Sequence, residues 1–313
     1  MNVSASNKDT IFIAANLFNS EDILPHWIAE VNQLINWIGP QKVYISIYEN
    51  GSTDGTKAML RDFDSQLEKD HVPHWIVVDA AAKTKQRRIP VLANLRNRAL
   101  WPIGNITTTH FDKIVFLNDI IFTAKDVITL LDTNQGNYDA ACGMDFFGEF
   151  YDLFATRDIH GHWLGSGNYP YFVDKTSQQL LRNNRPIPVY SCWNGMAVFD
   201  AKPFVEHRVA FRALLPEEPD PPLEASECCL IFKDLRDVKP DLRVLINPSV
   251  KVAYDRFHYW YSRHILSWYQ PFYSLLNKPN IPTILEEPTW KNKVKQAFDA
   301  HVDPSDEPCF WTG

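Results

Sequence analysis

The chain has 313 residues, of which 45% are hydrophobic, so it can bury a sizeable core as one large domain or two small ones. Its net charge is −7, with no block of Lys and Arg outside residues 83–98, which argues against general affinity for nucleic acid. The sequence has no run of about 18 apolar residues, the length needed to span a membrane. Residues 1–10 are polar and lack a signal-peptide core. We expect a flexible start at residues 1–10, and a cytosolic protein or a soluble domain of a longer one.

Strands and helices alternate along the first half of the chain. Apolar, β-branched runs predict strands at residues 11–15, 43–48, 74–78, 113–117 and 140–144. Helical spacing of apolar residues predicts helices at residues 20–38, 57–68, 91–100 and 125–131. This alternation predicts an α/β fold, with a mostly parallel sheet that has helices on both faces.

The second half of the chain has a different texture. Prolines and aromatic residues increase, and a Pro-rich acidic loop occupies residues 216–222. The pattern predicts a helix at 224–234, a strand at 244–246 and helical stretches at 259–276 and 290–301. We expect residues 11–313 to form one domain, with an irregular, aromatic-rich half at 151–313 after the regular half at 11–150.

The segment 43–56 carries the most specific local signal. A buried-type strand ends at an acidic turn that contains Glu49, Asn50 and Asp54, and a helix follows. Such junctions place polar groups at the carboxyl edge of a parallel sheet, where open α/β folds bind ligands. The turn has neither the glycine fingerprint of dinucleotide-binding proteins nor a P-loop. Its acceptors suit the hydroxyls and ring nitrogens of a nucleoside, and the alternative is an ordinary Asn-Gly turn.

A second acidic strand end follows residues 113–117. Asp119 comes directly after this hydrophobic strand, beside Asn118. A hard cation such as Mn²⁺ or Mg²⁺ prefers oxygen ligands and can be held by one carboxylate together with substrate phosphates. The alternative for Asp119 is a helix N-cap. Two acidic strand ends in one sheet should face the same crevice.

A basic segment at residues 83–98 lies between these two strand ends. Arg88, Arg96 and Asn97 could contact phosphate or base, because guanidinium groups match phosphate oxygens. The remaining cations are explained by a solvated helix face; they are Lys83, Lys85 and Arg98. The five cysteines show no zinc spacing, and their odd number leaves at least one free thiol in a monomer.

Together these segments resemble a known family. The shared motifs are residues 49–54 (ENGSTD), Arg88 with 95–97 (LRN), 116–119 (FLND), 151–158 (YDLFATRD), 192–196 (CWNGM), 226–228 (SEC) and 247–248 (NP). This ordered series, from residue 11 to 258, is similar to the fungal cryptococcal α-1,3-mannosyltransferases, glycosyltransferase family 69. The resemblance implies a GT-A fold, a GDP-mannose donor, a mannoside or oligosaccharide acceptor, Mn²⁺ or Mg²⁺, and retention of the α configuration. It also implies a Golgi type II membrane protein, although this chain shows no anchor.

The resemblance also assigns site residues. In the half at 11–150 the donor would be bound by Ala15, Asn16, Glu49, Asn50, Gly51, Ser52, Asp54, Arg88, Arg96, Asn97 and Asn118. The sugar or acceptor would be bound by Asp152, Arg157, Asp158, Trp193, Asn194 and Gly195. Glu227 and Asp145 are the catalytic carboxylates that it suggests. The alternative for Glu227 is that its carboxylate pairs with backbone N–H groups at the start of a helix. The alternative for Trp193 is that its ring is buried in the core.

The metal ligands would be Asp119 and His258. Only one acidic ligand follows the strand at 113–117, so a later histidine is needed, and imidazole is a good Mn²⁺ donor. His264 competes for this role, and either histidine could simply lie at the surface or in the core. Three other functions remain open: a UDP-sugar donor on the same fold, an inactive glycan-binding GT-A domain, and a nucleotidyltransferase.

Overall fold

The computed structural model describes residues 9–79, 87–106, 110–164, 168–276, 288–300 and 302–311. Most of the expected flexible start, together with Lys83 and Lys85, lies outside these residues. The described strands are β1 (Ile11–Leu17), β2 (Val43–Asn50), β3 (His74–Asp79), β4 (Lys113–Leu117), β5 (Ala140–Phe147), β6 (Glu149–Phe150), β7 (Ile187–Pro188), β8 (Met196–Asp200), β9 (Glu224–Ala225), β10 (Val244–Ala253) and β11 (Phe310–Trp311).

The helices connect these strands and continue past them. They are α1 (Leu24–Ile38), α2 (Thr56–Lys69), α3 (Arg88–Ala99), α4 (Ala124–Leu131), α5 (Lys175–Arg182), α6 (Lys202–Glu206), α7 (Glu227–Val238), α8 (Arg256–Tyr261), α9 (Ser267–Leu276) and α10 (Pro288–Asp299). A π-helix, Ser262–Leu266, joins α8 to α9, and a 3-10 helix, Pro304–Cys309, precedes β11. None of the described helices is long and apolar enough to cross a membrane.

One large mixed sheet organises the molecule, in the strand order β3-β2-β1-β4-β8-β5-β10-β7. Strands β1, β2, β3 and β4 pair in parallel, and β5 pairs in parallel with β10. Strand β8 runs antiparallel between β4 and β5, so these two point the same way. All the parallel strands therefore end at one edge of the sheet, and β8 begins there.

Side chains alternate between the two faces of this sheet, and each face has its own core. In β1, Ile11 and Ile13 pack with α1, α2 and α4, whereas Phe12 packs with α3 and α7 on the other face. This alternation is the period of two that strands impose. The predicted fold class, a mostly parallel α/β sheet flanked by helices with an irregular second half, is confirmed.

Several predicted element bounds were wrong. The first helix begins at Leu24 rather than at residue 20, because Pro25 occupies the first turn, where its missing N–H costs nothing. Residues 224–225 form β9, which pairs with β11, and α7 begins only after the Ser226 N-cap. The stretch 259–276 is not one helix, because it starts earlier at α8 and is interrupted by the π-helix.

Two disulfides cross-link the chain. Cys142 of β5 is bonded to Cys192, just before β8, and Cys229 of α7 is bonded to Cys309, near the end of the described chain. Cys228 is buried and free. The predicted free thiol is therefore Cys228, and both disulfides tie loops to the main sheet or to α7.

Candidate active site

The ends of β1, β2 and β4 lie at the same edge of the sheet. Leu17 at the end of β1 pairs with Glu49 near the end of β2, and β1 also pairs in parallel with β4, which Asn118 and Asp119 follow. The two acidic strand ends therefore flank β1 and face one crevice, as open parallel sheets arrange their binding sites.

Two buried acceptors at these strand ends have no hydrogen-bond partner among the described residues. Glu49 is fully buried, and its Oε1 accepts a hydrogen bond from the backbone N–H of Ser52. The Asn16 amide donates through Nδ2 to the carbonyl of Leu95 at 2.8 Å. Glu49 Oε2 and Asn16 Oδ1 remain unpartnered. Because an unpaired buried acceptor is costly, both oxygens suit the N–H and O–H donors of a bound ligand.

Hydrogen bonds join the turn after β2 to the loop after β1. Ser52 Oγ accepts from the backbone N–H of Asn19 at 2.8 Å, and Asp54 Oδ2 accepts from that of Glu21 at 3.1 Å. Slight burial opposes ionisation of Asp54, but hydrogen bonds from Thr56 and Glu21 outweigh it and lower the pKa of the carboxyl. Ser52 and Asp54 thus hold the turn in place, whereas the partly exposed Asn50 and Gly51 stay at the surface of the crevice.

Arg96 forms the centre of the crevice floor. Its Nε donates to Glu227 Oε1 at 3.0 Å, and its Nη1 lies 3.5 Å from Asn118 Oδ1. The guanidinium carbon sits 4.2 Å from the ring centroid of Trp193. The arginine therefore links α3, α7 and the end of β4, and its charge lies next to the predicted metal ligand, Asp119.

Asp119 has a raised pKa. Burial of the carboxyl raises its pKa to about 6, although the charge of Arg96 acts in the opposite direction. No group of three or more His, Cys, Asp or Glu side chains in the described parts of the chain is placed to hold a metal ion. The residues fit a cation that shares its coordination shell with phosphate oxygens and water, which is how Mg²⁺ and Mn²⁺ commonly bind.

His258 lies in α8, directly after β10. Its Nδ1 is 2.6 Å from Asp255 Oδ2, and its ring packs against Phe147 at 4.4 Å between centroids. A carboxylate on one ring nitrogen orients the other nitrogen, as occurs for metal-bound histidines. His264 is exposed and stacks on Trp260 at 5.7 Å.

Asp145 is a buried carboxyl near the end of β5. It accepts hydrogen bonds from the Tyr254 hydroxyl at 2.8 Å and from the backbone N–H of Asp152 at 3.1 Å. Burial and the neighbouring Asp152 raise the pKa of Asp145 to about 8. Asp152 in turn accepts from the backbone N–H of Asn194 at 3.1 Å. Burial therefore favours the neutral, protonated form of the Asp145 carboxyl.

Residues 193–195 shape the core under the crevice. Trp193 is buried, with its ring 5.0 Å from that of Phe116 and its indole N–H unpartnered. The fully buried Asn194 amide donates to the Gly143 carbonyl at 2.7 Å and accepts from Thr156. Gly195 has φ 73°, and a Cβ there would lie 2.9 Å from Ile120 Cγ2, so a larger residue cannot fit.

The Arg157 and Asp158 side chains are engaged by neighbouring loops. The fully buried Arg157 guanidinium donates to a ring of backbone carbonyls, which belong to Leu153, Phe154, Thr156, Pro308, Cys309 and Phe310. Burial lowers its pKa to about 9. Asp158 Oδ1 accepts from the backbone N–H groups of His160 and His162. Both side chains are occupied by loop contacts.

Three other predicted donor residues differ in their surroundings. The Asn97 side chain exchanges hydrogen bonds with the backbone of Phe211, at 2.8 Å in each direction. Arg88 is exposed at the first residue of α3. Ala15 is fully buried in β1.

A group of aromatic rings next to Asp145 was missed by the sequence analysis. The ring centroids of Tyr254 and Tyr151 are 5.4 Å apart, and those of Tyr151 and Phe147 are 6.0 Å apart. Tyr151 and Phe147 are both more than half exposed. Phe147 is the last residue of β5 and Tyr151 is the first residue of the shared motif at 151–158, so their positions near Asp145 and Asp152 could have indicated them. They form an exposed platform at the mouth of the crevice.

The chain is similar to several known proteins. A family model described as Cryptococcal mannosyltransferase 1 matches residues 10–234. Alpha-1,3-mannosyltransferase CMT1 of Cryptococcus neoformans var. neoformans serotype D is 27% identical over 282 residues; this match covers 80% of the present chain but only 59% of CMT1.

Solved structures are also similar to the chain. One is mannosyltransferase PcManGT from Pyrobaculum calidifontis in complex with GDP-Man and Mn²⁺, which is 14% identical with a TM-score of 0.42. The match covers 98% of the present chain and 80% of the PcManGT chain. GalNAc-T7 with UDP, GalNAc and Mn²⁺ is 10% identical with a TM-score of 0.48, covering 91% of this chain and 57% of its own.

Proposed function

Because the chain belongs to the Cryptococcal mannosyltransferase 1 family, we propose that it transfers mannose from GDP-mannose to a mannoside acceptor. The product carries an α-1,3 linkage, the α configuration is retained, and the reaction serves fungal glycan or polysaccharide synthesis. The family match over residues 10–234 and the similarity to an enzyme named an α-1,3-mannosyltransferase support this proposal.

The observation that carries the proposal is the pair of unpartnered acceptors at the ends of β1 and β2. Asn16 Oδ1 and Glu49 Oε2 would accept hydrogen bonds from the N–H groups of the base or the ribose hydroxyls of the donor. Hydrogen bonds accepted by Ser52 and Asp54 join the two loops that follow these strands. The nucleoside therefore enters a preformed pocket.

The diphosphate would lie between Asp119 and Arg96. Asp119 and His258 would hold Mn²⁺ or Mg²⁺, which when bound offsets the negative charge of the leaving diphosphate. Arg96 adds a fixed positive charge at the same place. Glu227 acts through Arg96 as a positioning residue, because its Oε1 already accepts from the guanidinium at 3.0 Å.

The transferred mannose would lie next to Asp145. The protonated carboxyl donates a hydrogen bond to a sugar hydroxyl, since its pKa is raised to about 8. The acceptor would stack on the exposed rings of Tyr151 and Phe147. Its hydroxyl attacks C1 from the face that the diphosphate leaves; the C1–phosphate oxygen bond breaks, the new C1–oxygen bond forms, and the hydroxyl proton passes to a phosphate oxygen.

We also propose that the protein works in the Golgi lumen, as the lumenal part of a type II membrane protein. The pairs Cys142–Cys192 and Cys229–Cys309 support an oxidising compartment, because disulfides are rare in cytosolic proteins.

The decisive experiment is GDP release from GDP-mannose in Mn²⁺, with and without α-mannosides. We expect acceptor-stimulated release that is lost in Asp119→Ala, with the linkage of the product determined by NMR. Thermal shifts with GDP and UDP identify the base. Stabilisation by UDP alone would point to a UDP-sugar donor, and glycan binding without turnover in the wild-type protein would overturn the catalytic proposal.

A further inference from the structure

A cavity of about 420 Å³ opens beside β10 and contains none of the predicted site residues. It is lined by Asn184, Pro248, Ser249, Lys251, Arg263 and Ser267. The polar side chains among them offer donors, and neither an aspartate nor a glutamate is included. The lining therefore favours a negatively charged ligand.

Two irregularities of the backbone meet at this cavity. The pairing of β10 with β5 shifts its register between Ile246 and Lys251, which brings Ser249 to the cavity wall. The π-helix Ser262–Leu266 contains Arg263. Bulges and π-helices give up regular hydrogen bonding and are frequent at functional sites. Finding both on one cavity is unexpected for a purely structural surface.

The cavity has an excess of positive charge. The partly buried Lys251 ammonium donates to Ser262 O at 3.3 Å and to Ser267 Oγ, but it pairs with no carboxylate in the described part of the chain. Burial and the nearby Arg263 lower the pKa of Lys251 to about 8. Lysines away from water are normally paired, so this one lacks its counterion.

Arg263 is only partly compensated. Its Nη2 donates to Asp126 Oδ1 at 2.6 Å and to Lys251 O at 2.8 Å, whereas its Nε is buried and has no partner in the described ranges. Asp126 therefore pairs with Arg263 and, among the described contacts, not with Lys251. Ser249 Oγ accepts from Asn184 Nδ2 at 2.8 Å, which leaves its hydroxyl proton free to point into the cavity.

We propose that this cavity binds a small oxyanion, a phosphate or carboxylate group, at the Lys251 ammonium and the Arg263 guanidinium, two cations of its lining. The Ser249 hydroxyl donates a further hydrogen bond to it. The Lys251 ammonium, which has no carboxylate partner among the described residues, then gains an anionic one. This site is separate from the donor crevice and does not depend on the proposed mannosyl transfer.

The test is a titration of the wild-type protein with inorganic phosphate at pH 7 and constant ionic strength, followed by thermal unfolding. We expect stabilisation by phosphate, and an affinity about tenfold to hundredfold lower in Lys251→Gln, which removes a charge-assisted hydrogen bond. Lys202→Gln removes one exposed lysine of α6 and should leave the affinity unchanged. No response of the wild type, or an equal response of the two variants, overturns the proposal.

A second variant covers the case that Lys251→Gln does not fold. Asn184→Asp changes an exposed residue at the cavity rim and adds a carboxylate there, so phosphate affinity should again fall at least about tenfold. Unchanged affinity in Asn184→Asp contradicts the site, because the phosphate would then bind elsewhere. A parallel titration with acetate distinguishes a carboxylate ligand from a phosphate ligand.

Discussion

Arg96 and Glu227 form a buried ion pair, with the arginine Nε and Nη2 each 3.0 Å from the same carboxylate oxygen. The two side chains are only 9% and 3% exposed, so neither charge can be satisfied by water when its partner is removed. The pair joins α3 to α7 and holds the guanidinium beside Asn118. Breaking it should therefore affect both stability and turnover.

Glu227→Gln leaves Arg96 buried with an uncompensated charge. We expect a loss of about 3 kcal/mol in the free energy of unfolding, measured by urea denaturation. The kcat of mannosyl transfer should fall at least about tenfold, because the guanidinium is no longer fixed, while KM for the donor changes less.

Glu206→Gln is the matched control. Glu206 pairs with Lys202 at 3.7 Å on an exposed helix, where a charge pair contributes less than about 1 kcal/mol. An equal loss of stability in the two variants would show that the Arg96–Glu227 pair is not effectively buried. Unchanged stability with abolished turnover would instead support Glu227 as a catalytic residue.

Asp145 should make stability depend on pH. Its pKa is raised to about 8 by burial, whereas an unfolded aspartate titrates near ~3.9. The folded state therefore binds the extra proton between these values, and the free energy of unfolding falls as pH rises from about 4 to about 8. In Asp145→Asn this slope should become flatter by up to about 1.4 kcal/mol per pH unit.

Asp119→Asn provides the comparison for that measurement. The pKa of Asp119 is raised only to about 6, so its substitution should flatten the curve below pH ~6 and leave the range from 6 to 8 unchanged. Urea unfolding at several pH values separates the two windows. Identical curves for the two variants would mean that Asp145 is ionised at neutral pH.

The sequence was sufficient to predict strands β1 to β5 and the common edge at which their acidic ends lie, but not the antiparallel strand β8 between β4 and β5. The strands before Glu49 and Asp119 are continuous apolar runs, and their period and turns depend only on neighbouring residues. Parallel pairing then follows from the alternation with helices. The interruption of α8–α9 by a π-helix was not predicted, because residues 259–276 carry a continuous helical spacing of apolar residues.

Roles within the site were harder to predict. Arg157 and Asn97 look like ligand-binding residues in sequence, but the carbonyls of residues 308–310 and the backbone of Phe211 occupy them. These partners are more than a hundred residues away along the chain. The pairing of Arg96 with Glu227 was missed for the same reason, although each residue had been predicted separately.

Arg157→Lys tests the structural role of this arginine. Lysine cannot reach the ring of carbonyls that Arg157 joins, and unsatisfied buried carbonyls should lower the free energy of unfolding by about 2–4 kcal/mol. The exposed Arg182→Lys should stay within about 0.5 kcal/mol of wild type. If Arg157→Lys keeps its stability but raises KM for the acceptor, the predicted sugar-binding role is right.

Tyr151→Ala tests whether the aromatic platform binds the acceptor. Removing the ring should raise KM for an α-mannoside about fivefold to thirtyfold, the cost of about 1–2 kcal/mol of stacking. Hydrolysis of GDP-mannose without acceptor should be unchanged, because the ring contacts Tyr254 rather than the predicted donor residues. Trp101→Ala is the control, since both rings are 56% exposed and Trp101 stacks on Trp75 instead. An equal change of KM in both variants, or a lower rate of donor hydrolysis in Tyr151→Ala, would remove the platform from the acceptor site.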